Sequence, residues 1–196
     1  MPLELLRSLV WTDYRLALVF AILLPLGLLI WSLMKRAKPI THLLVIYWRV
    51  ATLLMISVYL MIAQIPASFV VRPVALILLI MSLWFWVDLN EEIEDRRGQL
   101  KLAFTAWRWA MTLYCPLAAL GQLFFWQCAF SATAIATATC QVGLEPPFGF
   151  REILHAQTNV GRIGFLSITA LVIYGLYLIY FLVFRLTKQG RSATGL

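Results

Sequence analysis

The stretch from Trp84 to Trp109 (WFWVDLNEEIEDRRGQLKLAFTAWRW) restricts the possible folds of this chain more than any other. Eight charged residues, Asp88, Glu91, Glu92, Glu94, Asp95, Arg96, Arg97 and Lys101, stand there between two apolar runs. Such an island cannot lie in hydrocarbon, so it is read as the place where the chain leaves a membrane and returns to it. A Trp-x-Trp pair closes each run, Trp84/Trp86 and Trp107/Trp109, and these indoles are expected to rest at headgroup level. A membrane is invoked because 62% of the residues are hydrophobic and only 13% charged, whereas about a quarter of a soluble domain is charged. The net charge of +7 does not argue for nucleic acid, because the basic residues punctuate the ends of apolar runs.

Counting outward from this hairpin gives an all-α integral membrane protein of about five transmembrane helices in a single domain, 1–196. The expected spans are 16–34, 43–63, 69–87, 103–130 and 165–184, each near the roughly 20 residues that cross a bilayer. Pro25 is expected to kink the first and Pro73 to sit in the first turn of the third. Residues 3–15 place Leu3, Leu6, Val10 and Tyr14 at helical spacing and read as a short helix lying on the membrane surface. Gly143, Pro146, Pro147 and Gly149 read as breakers. After them, Phe150–Gln157 is expected to form a second interfacial helix. Nothing at the N-terminus resembles a secretory signal or a lipidation site.

Lys and Arg set the orientation. With five spans, Lys35, Arg36, Lys38, Arg96, Arg97, Lys101, Arg185, Lys188 and Arg191 fall on one side; Arg7, Arg15, Arg72, Arg151 and Arg162 fall on the other. The charged hairpin and C-terminus are therefore expected in the cytoplasm, and the N-terminus outside. Cys128 and Cys140 would lie toward the outer side. A continuous helix would hold them about 18 Å apart, so a bond needs the helix to end between them; three unpaired buried thiols, Cys115 included, are the expectation.

Arg49 and Arg108 lie inside spans, six or seven residues from the cytoplasmic end, in matching Trp-Arg-x-Ala tetrads. No Asp, Glu or His lies within a span to pair with them. Either both reach up to headgroups or to Asp88 and Glu91, or they face inward and, with Ser82 and Tyr177, form a site for an anion: a lipid phosphate, a substrate or an acidic partner. The stripe Tyr174, Tyr177, Tyr180 reads as helix packing. His42 could ligate a chlorophyll magnesium near the surface. No other cofactor is required: a bis-His haem, HExxH, CxxC and a phosphate loop are all missing.

The opening PLELLRSLVWTDYRLA and the DLNEEIEDRRGQ hairpin with its Trp brackets resemble a family of small cyanobacterial multi-span membrane proteins of unknown function. The resemblance implies a thylakoid or plasma membrane and supplies no active site. The resulting expectation is a non-enzymatic accessory subunit or assembly factor of a larger, photosynthetic or respiratory, membrane complex in contact with lipid. The alternative is a small anion or lipid transporter using Arg49 and Arg108.

Overall fold

The computed structural model describes residues 2–186 and residue 192, the side chains of 132, 185 and 186 excepted. The expected cytoplasmic charges Lys188 and Arg191 lie outside the described residues. The described chain is helical throughout: α1 (Leu3–Ala17), α2 (Leu24–Met34), α3 (Lys38–Ile62), α4 (Ser68–Trp84), α5 (Val87–Glu94), α6 (Gln99–Gly121), α7 (Ala132–Ile135), α8 (Ala138–Leu154) and α9 (Val160–Tyr180). Helix α3 is the hub and packs against α2, α4, α5, α8 and α9.

Three helices are long and apolar enough to cross a membrane: Leu3–Met34, Lys38–Ile62 and Val160–Phe184. A fourth is added if α4 and α5, bent by 57° at Phe85–Trp86, are taken as one span. The segment read as a span over 103–130 is instead α6 continued by the 3-10 turns of Gln122–Ala129. Arg108, Trp107, Trp109 and Tyr114 dilute the apolar character of α6.

Residues 3–15 do not form a separate surface helix. A π-helical turn, Leu18–Leu23, joins α1 to α2 in one helix of 32 residues. The cause is visible in the packing: Leu6 is buried, and Arg7 and Trp11, four apart and so on one face, both donate to Glu145 of α8 at 2.9 and 3.3 Å. Covered by α8, this half-helix has a protein partner where a lipid surface was expected.

Pro25 explains the π-helical turn. It has no N–H, and the widened turn ahead of it frees carbonyls that the regular ladder would have satisfied. Two of the largest buried side chains supply the missing donors. The hydroxyl of Tyr47, 0% exposed, donates to the Ala21 carbonyl at 2.8 Å, and the Trp107 indole to the Phe20 carbonyl at 2.8 Å. The two rings meet edge to face at 5.1 Å. Thus α1–α2 is joined to α3 and α6 at a point where one proline opened the backbone. The expected result for Tyr47→Phe is a loss of about 1–3 kcal/mol, read as a lower midpoint of thermal unfolding in detergent with unchanged helix content. An unchanged midpoint would mean that the Ala21 carbonyl had never relied on Tyr47.

The tryptophans are not a simple interfacial belt. Of the four that bracket the hairpin, Trp86 and Trp107 are buried, Trp84 is half-buried and Trp109 is exposed. Nor is the charged island fully solvated, because Leu89 and Ile93 turn one face of α5 into the core.

Three further expectations are corrected. Pro73 lies inside α4, which starts at Ser68, so Arg72 is a helical residue and not a loop charge. Helix α8 runs through Gly143, Pro146, Pro147 and Gly149. Val142, Gly143, Leu144, Pro146 and Pro147 are all buried there, and packing holds the helix where local propensity would break it. Its end is tied to α3 by the hydrogen bond that Tyr59 and His155 share at 3.0 Å, so 150–157 is no independent interfacial helix. Finally, Cys128 and Cys140 are bonded, their Cα atoms 5.9 Å apart. The helix does end between them: residues 130–131 break it and Ser131 caps α7 through the Thr133 amide. A bridge over a loop of this length adds about 3 kcal/mol in the chain-entropy account. Cys115 is a free, buried thiol.

Candidate functional site: an open groove at Arg49

The residues singled out from the sequence separate into two environments. Three helix faces converge on a groove. His42, Ile46, Arg49 and Val50 come from α3; Leu78, Met81 and Ser82 come from α4, followed by Phe85 and Trp86; Tyr174, Tyr177 and Leu178 come from α9, followed by Phe181 and Leu182. The spacings (42, 46, 49, 50; 78, 81, 82, 85; 174, 177, 178, 181) are those of single helical faces. Because α3 packs against both α4 and α9, its own face becomes the floor between them. The space enclosed, open mouth included, is about 990 Å³.

Arg49, Ser82, Tyr177 and His42 therefore share one cleft. Arg49 is exposed; its carbonyl accepts from the Thr52 hydroxyl at 2.7 Å, but its guanidinium has no hydrogen-bond or ion-pair partner among the described residues. Ser82 is buried and donates to the Leu79 carbonyl at 2.7 Å, so its lone pairs remain but its proton is committed. Tyr177 is half exposed and, like Tyr174, has no hydrogen-bond partner among the described residues. Of the tyrosine stripe read as helix packing, Tyr174 packs on the core while Tyr177 and Tyr180 stay open.

Arg108 is elsewhere, and its task is different. It is 3% exposed, its guanidinium lies 4.1 Å from the centre of the Trp84 ring, and it donates to Asn90 Oδ1 at 2.6 Å. Asn90 in turn donates to the Trp84 carbonyl at 3.3 Å. The Trp84 indole donates to Thr112 at 2.9 Å, and Thr112 to the Arg108 carbonyl at 2.8 Å. This closed ring ties the α4–α5 bend to α6. Asp88 and Glu91, the acids expected to answer these arginines, are not the hydrogen-bond partner; a neutral amide and an indole face are. The matching tetrads thus carry unlike arginines, one clamped and one open.

The sequence reading overlooked a third arginine. Arg72 pairs with Asp13 at 2.6 Å, the side chains 10% and 23% exposed. The hydroxyl of Tyr114 donates to the second Asp13 oxygen at 2.9 Å, and the Met61 sulfur lies 3.9 Å from Arg72. The cluster joins α1, α4 and α6. The only available signal was that both Asp13 and Arg72 interrupt apolar stretches; nothing in their spacing pairs them.

No group of three or more His, Cys, Asp or Glu among the described residues is placed to hold a metal ion. No curated protein and no solved structure matches the chain. A family model does, over residues 7–194: the chain belongs to the family described as Protein of unknown function (DUF3177).

Proposed function

We propose that this protein is a non-enzymatic membrane protein that works beside a larger membrane complex, as accessory subunit or assembly factor. The observation that carries the reading is α9. Only 6% of its apolar stretch is buried. A narrow seam of Ile163, Gly164 and Ser167 holds it to the bundle, where a Cβ on Gly164 would come within 3.2 Å of that of Ala63. Small residues let helices approach in this way without a hydrophobic driving force between them. The opposite side presents Val172, Ile173, Leu176, Ile179 and Tyr180 to the bilayer or to a neighbour. The resemblance to cyanobacterial membrane proteins supports a thylakoid or plasma membrane. The Cys128–Cys140 bond supports an oxidising compartment on the α7–α8 side, since disulfides are rare in reducing cytosol, in agreement with the Lys/Arg count. Affinity-tagged protein extracted in mild detergent is expected to bring down a defined partner. Truncating Ile173, Leu176 and Ile179 together to Ala is expected to release it while the fold survives. Isolation of the wild type as a lone monomer overturns the reading.

A second reading, an anion- or lipid-handling protein, is favoured by one feature, the unpaired Arg49 in a largely apolar cleft. The sequence offers Arg49 and Arg108 for it together; with Arg108 engaged by Asn90 and Trp84, the reading stands on Arg49 alone.

A further inference from the structure

We propose that the groove holds one acidic phospholipid, its phosphate on Arg49 and its acyl chains along the apolar walls of α4 and α9. The proposal rests on the second reading above and names its ligand.

Among the described residues that line the cleft, Arg49 is the one Lys or Arg. Arg49 is seven residues beyond His42 on the same face of α3, about 10 Å further along the axis. Among the described residues no carboxylate lines the groove, and no protein group bonds the guanidinium. A charge below the headgroup layer carries a penalty that a paired anion relieves, and phosphate suits guanidinium because two oxygens can accept in parallel. Tyr174 and Tyr177 offer further hydroxyl donors on the facing helix, and His42 stands at the outer end of the same face.

The walls decide which phosphate. Ile46, Val50, Leu78, Met81, Leu178 and Leu182 make most of the lining apolar. A free inorganic ion would leave that surface uncovered and surrender its hydration for a single guanidinium. A phospholipid covers the walls with its chains, and a groove open along its mouth lets those chains run on into the bilayer. The headgroup is also constrained. With no carboxylate at hand to meet an ammonium, a headgroup of net negative charge is preferred over choline or ethanolamine. A chlorophyll ligated by His42 would fill the apolar space too, but its carboxyls are esterified and would leave Arg49 without an anion.

The test uses the full-length protein, purified in mild detergent, stripped of lipid and followed by native mass spectrometry. Phosphatidylglycerol, phosphatidylcholine and inorganic phosphate are titrated separately against wild type, Arg49→Gln, Arg49→Lys and, as a control outside the groove, Arg97→Gln. Unfolding midpoints establish that each variant is folded. The expected result is a single phosphatidylglycerol adduct on the wild type and on Arg97→Gln. Arg49→Gln weakens it by about tenfold or more, the loss of one charge-assisted hydrogen-bonded contact, and Arg49→Lys restores part of it. Equal retention of phosphatidylcholine, undiminished binding by folded Arg49→Gln, inorganic phosphate competing as well as lipid, or a pigment occupying the purified groove would each overturn the proposal. Anion flux through proteoliposomes separates the two levels: flux without a lipid adduct sinks this proposal and leaves the second reading standing, whereas absence of both removes the reading as well.

Discussion

Arg72→Ala is expected to destabilise the protein by about 3–5 kcal/mol, the largest loss anticipated for any single substitution. The change strands Asp13, whose carboxylate is mostly shielded from water and receives both the Arg72 guanidinium and the Tyr114 hydroxyl. Breaking one half of such a pair is costly because the surviving charge keeps its desolvation penalty and loses its partner. The same principle makes a second result predictable. In Asp13→Leu/Arg72→Met neither charge remains, and the apolar pair is expected to recover most of the lost stability. Thermal unfolding in detergent, run as a double-mutant cycle with Asp13→Leu alone, reads the coupling between them. If the double variant were no better than the worse single one, the cluster would have a role beyond mutual neutralisation.

The next largest loss is expected for Arg108→Ala. A desolvated cation over an indole contributes about 2 kcal/mol or more, and a hydrogen bond from a charged donor about 1.5–3 kcal/mol; both are removed at once, offset in part by relief of the buried cation's desolvation penalty. The α4–α5 corner would then lose its attachment to α6, so the change should expose 84–95 to proteolysis before the rest of the bundle opens. Arg108→Lys keeps the charge but not the planar stack or the forked donor geometry, and it should restore less than half of the loss. Binding at the groove is expected to change little in any Arg108 variant that remains folded. Were Arg108→Ala to be stable yet deficient in ligand, its assignment as a clamp would fail.

The contrast between these arginines marks how far the sequence carried. Helical class and the presence of helices long and apolar enough to cross a membrane could be read from the apolar stretches, since a 3.6-residue period and an unbroken apolar run are local signals; how many cross, and where each element ends, could not. The unusual residues Arg49, Ser82, Tyr177 and His42 could be picked out by residue type. Which of them share a cleft could not, because that depends on how α4 and α9 are laid on α3. Arg108 looked equivalent to Arg49 in depth and context; its partner Asn90 is neutral, and a search for acids passes over an amide. Asp13 and Arg72 are 59 positions apart and drew attention only as interruptions.

Prolines misled in both directions for one reason. Pro146 and Pro147 remove donors within α8, yet the helix survives because its buried face and the Cys128–Cys140 bond hold it. Pro25 was correctly read as a disturbance, but its consequence lay in two other helices, where Tyr47 and Trp107 supply the hydrogen bonds it leaves open. Tertiary compensation of this kind is how helices near a membrane tolerate proline, and a single helix cannot reveal it.

The three arginines show a division of labour: Arg72 and Arg108 are engaged within the bundle, whereas Arg49 has no side-chain partner among the described residues and is the residue proposed to hold the phospholipid. This division is tested most directly by measuring the unfolding midpoint and the bound phospholipid phosphorus on the same preparations of Arg49→Gln, Arg72→Gln and Arg108→Gln. The account predicts that Arg49→Gln alone keeps the wild-type midpoint of lipid-stripped protein while losing its phospholipid, and that the other two unfold at lower temperature. Arg49→Gln retaining its lipid, or falling in stability alongside the others, would contradict it.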